Sequence, residues 1–174
     1  MAKKVINNVM KKVKIEKLTL NFGAGTDQKK LEKGIKLLKL ISGKEPIKTL
    51  SKVRIPTWGL RVGLPIGCMI TLRGEEAEKL LVRMLKAKEN KLKERCFDAQ
   101  GNFSFGLHEY IDMQDVKYDA EIGIMGFECS VTLKKPGARI SIKSTKRSKL
   151  PHSQRVSKED AINFVKEKFK IEVI

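Results

Sequence analysis

The sequence predicts an α+β fold: a mixed, mostly antiparallel sheet with about three helices packed on it, in one domain spanning 1–174. Three observations lead there. Segments of period-two alternation are mixed irregularly with stretches of helical spacing, which excludes a regular doubly wound βαβ series. Hydrophobic residues make up 41% and charged residues 33% of the chain, the balance of a globular protein rather than a disordered one. No Ser/Gly/Pro-rich linker, repeat or low-complexity block divides the 174 residues, a length that buries a sizeable core.

The alternation at 13–22 puts Val13 and Ile15 on one phase and Leu18, Leu20 and Phe22 on the other. The change of phase near Glu16-Lys17 calls for a bulge, or for a strand that starts later than the pattern does. Gly23-Ala24-Gly25 then eases the chain from strand to helix. Two glycines without a third, and no following Gly-Lys-Ser/Thr, fall short of a phosphate-binding fingerprint. Asp27 caps a helix whose apolar positions are Leu31, Ile35, Leu38 and Ile41, with Gly43 at C′. A short strand at 47–50 precedes a long basic loop at 51–65, which carries two prolines, Gly59, Gly63, Lys52, Arg54 and Arg61. Strand character resumes at 68–72. Glu75 opens a second amphipathic helix with Ala77, Leu80, Leu81, Met84 and Leu85 as its buried stripe.

The second half is richer in β character. Phe103, Phe105 and Leu107 alternate, and so do Phe127, Cys129, Val131 and Leu133. The latter run turns at Pro136-Gly137, a type II pair, into 139–143. A basic connector near 143–156, broken by Pro151, leads to Ser157-Lys158-Glu159-Asp160. This is a capping box with Asp in place of Glu, opening a last helix through Phe164 and Val165. The chain finishes as a short strand at 170–174.

Charge narrows the function. Thirty-seven Lys/Arg against 20 Asp/Glu leave a net +17, a surplus that repels itself in a compact chain and suits a polyanionic partner. From 129 to 158 there are nine Lys/Arg and no acid, and the N-terminal stretch adds Lys3, Lys4, Lys11, Lys12, Lys14 and Lys17 against Glu16 alone. Lysine offers a mobile point charge and arginine a planar fork for phosphates and bases, so the partner this distribution fits is nucleic acid. The stretch 98–128 is the reverse, with seven acids and only Lys117. It is either a face turned from the RNA toward a basic protein or ordinary surface balancing. Trp58, between Pro56 and Gly59, either stacks on a base or ribose or anchors its loop on the core. Phe103 and Phe105 lack basic neighbours and read as core.

Other classes fall away. No apolar run approaches the ~20 residues of a membrane span. The N-terminal stretch has neither the apolar centre nor the cleavage site of a secretory signal. Cys68, Cys96 and Cys129 are an odd, widely spaced set among apolar residues, fit for a reducing, cytosolic compartment. His108, Glu109, Asp112, Asp115, Asp119 and Glu121 are the one cluster with catalytic potential, as Mg²⁺ ligands of a nuclease. Their spacing matches no metal loop, and neither His152 nor a cysteine completes a constellation. The expectation is a non-enzymatic protein with no cofactor or metal.

Several stretches resemble one family: the 5S rRNA-binding ribosomal protein that is fifth in the bacterial large-subunit numbering. They are Ile15-Glu16-Lys17-Leu18-Thr19-Leu20-Asn21-Phe22-Gly23, Ser42-Gly43-Lys44-Glu45-Pro46-Ile47, Trp58-Gly59-Leu60-Arg61-Val62-Gly63, and Pro65-Ile66-Gly67-Cys68 leading into Thr71-Leu72-Arg73-Gly74. Gly101-Asn102-Phe103-Ser104-Phe105-Gly106 and Lys117-Tyr118-Asp119-Ala120-Glu121-Ile122-Gly123-Ile124 follow the same order and spacing, the last in the manner of the archaeal and eukaryotic branch. The chain departs from the family pattern at Val9 and Ala120, where proline is usual, and at Trp58, where phenylalanine is usual.

The resemblance implies an α+β protein of the central protuberance of the large subunit. Its partners would be 5S rRNA, large-subunit rRNA, other 5S rRNA-associated proteins, P-site tRNA and a small-subunit head protein across an intersubunit bridge. Its place would be the cytoplasm, in the ribosome. By position, Asn8, Met10, Lys11 and Asn21 would lie in the 5S rRNA-contacting region. Thr49, Lys52, Arg54, Arg61, Gly63 and Pro65 match the family's loop pattern. The tip Ile55, Pro56, Thr57, Trp58 and Gly59 would reach tRNA, and Asp112 and Asp115 are candidates for the protein contact. The alternative is a free RNA-binding or chaperone module that treats many RNAs alike.

Overall fold

Four strands place apolar residues at every second position, and a sheet built from them can be apolar on one face only. The computed structural model describes residues 8–114 and 116–174. Its five-stranded sheet has the order β2-β3-β1-β6-β5, from β1 (Lys14–Gly23), β2 (Ile47–Leu50), β3 (Pro65–Leu72), β5 (Phe103–Leu107) and β6 (Phe127–Lys134). Every pairing in it is antiparallel. A short parallel pair, β4 (Lys91–Leu92) with β7 (Glu172–Val173), stands apart.

The bulge is present. Ile15 lies opposite Leu133, Lys17 opposite Thr132 and Leu18 opposite Val131, so Glu16 is the residue without a partner. The extra residue brings Ile15 onto the same face as Leu18, Leu20 and Phe22, which resolves the two phases of the sequence. On that face Leu18, Leu20, Cys68, Ile70, Leu72, Val131 and Cys129 are buried.

Two helices cover it. In α1 (Gln28–Ser42), Asp27 accepts hydrogen bonds from the backbone N–H groups of Lys29 (2.9 Å) and Lys30 (3.2 Å), and Gly43 ends the helix at φ 69°. Leu31, Leu38 and Ile41 are buried as the spacing predicts; Ile35 is only half-buried, and Gly34 and Leu37 take the inner positions beside it. Gly34 lies under the Phe22 ring, where a Cβ would come within 2.2 Å of Cδ1. In α2 (Glu75–Ala87) the buried stripe is the predicted Ala77, Leu80, Leu81, Met84 and Leu85. The capping box of α3 (Lys158–Phe169) is closed: the Asp160 N–H donates to Ser157 Oγ at 3.1 Å and the Ser157 N–H to Asp160 Oδ2 at 3.4 Å.

Phe103 and Phe105 are buried with ring centroids 6.5 Å apart, so they are core and not a base-stacking platform. The thiols of Cys68 and Cys129 are buried and unpaired; burial pushes Cys68 up to about 11 and raises Cys129 further in the same direction, so both stay protonated. The type II turn at Pro136-Gly137 forms, with Gly137 at φ 86°, ψ −10°. Beyond it the chain forms a 3₁₀ turn, Ala138–Ser141, and not the returning strand that the turn signal suggests. The β1 edge of β6 is paired through Lys134 and its β5 edge as far as Val131, so a strand returning along 139–143 would run into β5 within a few residues.

Gly67 sits opposite both Gly23 and Thr49, and a Cβ there would lie 2.6 Å from the Phe22 carbonyl oxygen and 2.9 Å from Thr49 Oγ1. Gly67→Ala is therefore expected to cost about 1–3 kcal/mol, as overpacking against backbone does. Urea unfolding should show a lower midpoint with unchanged slope.

Candidate nucleic-acid interface

The 51–65 segment is an irregular but hydrogen-bonded extension of the β2–β3 hairpin. Ser51 N–H donates to Leu64 O (2.8 Å), Gly63 N–H to Ser51 O (2.9 Å), and Ile55 and Leu60 exchange two 3.0 Å bonds. Gly63, at φ 83°, lets the return limb turn where a side chain would be strained. Pro56–Trp58 forms a 3₁₀ turn at the tip, closed by Gly59 at φ 65°, and a Cβ on Gly59 would lie 3.8 Å from Thr26 Cγ2. The tip therefore rests beside the β1–α1 turn. Trp58 is 69% exposed, so it does not anchor the loop on the core. Lys52, Arg54 and Arg61 are exposed too, and none forms an ion pair with a described residue.

The uncovered face of the sheet is the second surface. Register places Thr49 beside Gly67, Asn21 between Met69 and Glu128, and Thr19 between Thr71 and Ser130. Ser104 extends the last row to β5. Asn21 Nδ2 donates to Glu128 Oε2 at 3.2 Å. Of this face only Asn21 and Thr49 were singled out in the sequence. Thr19, Thr71, Ser104, Ser130 and Thr132 were missed, although the outward phase of the same alternation marks them. Pro65 opens β3, and its carbonyl accepts a 3.5 Å bond from Gln28 Nε2.

Of the N-terminal candidates, Met10 adjoins the turn at Gly137 that leads toward the connector. Asn8 caps a 3₁₀ turn, Val9–Lys11, by accepting from Met10 N–H at 3.0 Å, and Lys11 is exposed. Met10 Cε lies where a Cβ on Gly137 would meet it at 3.1 Å. Lys3 and Lys4 lie outside the described residues. Of the nine cations at 129–158, three are tied down: Lys134 to Glu16 (3.6 Å), Lys135 to Asp160 (2.6 Å) and Lys158 to Glu94 (2.7 Å). Lys135 also donates to the Arg155 carbonyl at 3.0 Å, which pins the connector's end. Arg139, Lys143, Lys146, Arg147, Lys149 and Arg155 have no ion-pair partner among the described residues.

The acidic stretch is not one uniform face. Asp98 holds its own turn through Gln100 and Asn102, and Glu121 pairs with Lys36 at 2.6 Å. Tyr110 is fully buried, and its hydroxyl accepts from Asp119 N–H at 2.9 Å, fastening the loop. Asp112 is exposed on a 3₁₀ turn, Tyr110–Asp112; Asp115 lies outside the described residues. Among the described residues no three His, Cys, Asp or Glu side chains gather as a metal site, and no helix is long and apolar enough to cross a membrane.

Cationic surfaces supported on a one-faced sheet, in a chain of net charge +17, define a basic protein built to sit on nucleic acid. Comparison with known proteins is more particular. The family model described as "Ribosomal protein L5" matches residues 8–61, and the model of the same ribosomal family's C-terminus matches 65–164. The chain belongs to the ribosomal protein L5 family, whose members are structural and not enzymes. It is 44% identical over 166 residues to the large ribosomal subunit protein uL5 of Methanosphaera stadtmanae, covering 95% of this chain and 99% of the relative. Identity is also 44% to that of Nanoarchaeum equitans, over 95% of this chain and 98% of the relative. It is 39% to that of Sulfurisphaera tokodaii, over 96% and 95%. The junction between the two matched models falls inside the β2–β3 hairpin, so it divides no structural unit.

The connector's anchor makes a pH prediction. The hydrogen bond from Lys135 foremost, set against some desolvation and helped by Ser157, holds the Asp160 carboxyl below its ordinary value. A depressed folded pKa gives stability that is present above the unfolded value, roughly 3.9, and is lost as pH falls through the folded one. Asp160→Asn should thus be less stable than the parent at pH 7, with the difference closing below about pH 4. Urea titrations at pH 7, 5 and 3 check this; a gap as wide at pH 3 as at pH 7 refutes it.

Proposed function

We propose that the chain is a structural constituent of the large ribosomal subunit that binds 5S rRNA and attaches it to the central protuberance. The observation that carries this reading is the β2–β3 extension: three cations without acidic partners and an exposed indole on a hydrogen-bonded support. Rigid support lowers the ordering cost of binding, and unpaired cations are free to replace counterions on phosphates. The names of the relatives, large ribosomal subunit proteins, support the assembly.

In this reading Asn8, Met10, Lys11 and Asn21, with Thr49, Lys52, Arg54, Arg61, Gly63 and Pro65, face rRNA. Phosphate contacts set register, and RNA shape with a few unstacked bases supplies specificity. The tip Ile55–Gly59 contacts P-site tRNA, with Trp58 stacking on a base or sugar. Asp112 and Asp115 face a basic protein of the small-subunit head across an intersubunit bridge. The protein works in the cytoplasm, within the ribosome, beside other 5S rRNA-associated proteins.

The test is 5S rRNA affinity across a salt series, with an unrelated RNA of equal length as competitor. If about six or more phosphates are neutralised, affinity should fall roughly 10³-fold or more between 50 and 200 mM salt, while preference for 5S rRNA persists. Equal binding of both RNAs at every salt would mean a general RNA-binding module instead. Arg54→Ala with Arg61→Ala should weaken rRNA or tRNA engagement without lowering the melting temperature. Asp112→Lys with Asp115→Lys should impair subunit joining and spare 5S rRNA; loss of 5S rRNA binding would mean that the faces are misassigned.

A further inference from the structure

The turn from α2 into β4 is tight. Glu89 and Asn90 both take left-handed φ values, 56° and 57°, and Asn90 N–H donates to Leu85 O at 2.9 Å. The turn brings Lys88 and Lys91 to one cleft of about 580 Å³, which Lys93 and Arg95 also line. Backbone bonds from Glu172 N–H to Asn90 O and from Ile174 N–H to Leu92 O, both 2.9 Å, hold this segment to β7. Glu89 is the one acidic side chain lining the cleft, and its bridge to Lys91 spans 3.4 Å between exposed groups, a contact that contributes little. Glu94, the next acid along the chain, is turned to Lys158. Lys88, Lys93 and Arg95 have no ion-pair partner among the described residues.

We propose that this cleft is a further RNA contact, one that takes the sugar-phosphate backbone of a strand distinct from those at the β2–β3 extension and the N-terminal turn. The inference rests on the proposed RNA binding and adds one more RNA segment to it. Placement supports it. The extension leaves the sheet at the β2 side, whereas Phe105 and Gly106 of the opposite edge strand β5 line the cleft. Four inter-strand steps of about 4.8 Å, roughly 19 Å in all, separate β2 from β5, so the root of the extension and the cleft lie at opposite edges of the sheet. Spacing supports it too. Lys91 and Lys93 are exposed on either side of the buried Leu92, about 6.6 Å apart along extended chain, which is comparable to the distance between successive phosphates. Arg95 adds a planar fork for a third.

An acidic protein segment is the other occupant this charge could take, but two lysines at phosphate spacing beside a planar guanidinium fork favour the regular sugar-phosphate backbone.

The test uses the full chain bound to immobilised 5S rRNA, and in parallel the chain immobilised alone. The second-site probe is a labelled 20-nucleotide uridine RNA. The parent should capture this RNA on the 5S complex. Lys91→Glu with Lys93→Glu and Arg95→Glu should capture it at least about 10-fold more weakly. The dependence of log affinity on log salt should be shallower by about 2 for three lost phosphate contacts. 5S rRNA affinity and melting temperature should stay unchanged. Undiminished capture by the triple variant overturns the proposal. So does capture of a 20-residue polyglutamate in preference to the RNA, which would make the cleft a protein site. If the parent fails to hold 5S rRNA, the proposed 5S rRNA function fails, and the chain immobilised alone still reports on the cleft.

Discussion

Glu16 is one residue too many for the ladder between β1 and β6, and the one-sidedness of the sheet depends on it. β1 is the central strand, paired on both edges. Had the ladder run on without the bulge, Ile15 would have faced away from Leu18, Leu20 and Phe22, and part of the apolar set would lie on the open face. Full burial of an Ile side chain contributes about 1.5–3 kcal/mol, and Ile15, partly buried against the core, gains a share of that from the bulged register. The same device leaves Glu16 free to meet Lys134 at the β6 terminus, ahead of the turn that leads to the basic connector.

A sheet with most of its apolar groups on one face has a largely polar face to spare. Apart from Met69 and Ile47 toward the β2 edge, that face carries mainly Thr, Ser and Asn side chains, short groups that leave the surface open. The hairpin extends from the same strands, so its cations are tied to the core through β3, whose Cys68, Ile70 and Leu72 are buried. Gly67 serves both structures: it admits Thr49 and the Phe22 carbonyl at close range, which seats β2 on β3 just before the register shifts between Thr49 and Leu50 at the root of the extension.

Elements with a long period were legible in the sequence. The stripe of α2 matches residue for residue, and the cap at Asp27, the capping box at Ser157 and the bulge all follow from local chemistry. β4 was not legible, because a two-residue strand has no period and forms only when β7 reaches it from 80 residues away. The return of 139–143 failed for a related reason: a turn signal says that the chain reverses but not whether a partner edge is free. For the interface, cations and the Trp-bearing loop were visible as composition. Whether Trp58 faced solvent or core depended on where the tip came to rest, and that is set by the backbone bonds of the whole extension.

The acids explain how a chain of +17 stays compact. Several of them join separate elements: Glu121 meets Lys36 of α1, Asp160 meets Lys135, Glu94 meets Lys158, Glu78 meets Lys168, and Glu76 meets Lys44. Carboxylates placed at such joints offset repulsion where elements meet, and they leave the hairpin, the connector and the β4 cleft with cations in excess. Exposed pairs of this sort contribute little each, so the remaining repulsion is not cancelled within the chain. A polyanion that binds only the folded form relieves it and stabilises the fold by mass action. Folding and RNA binding are thereby coupled through the same unpaired lysines and arginines.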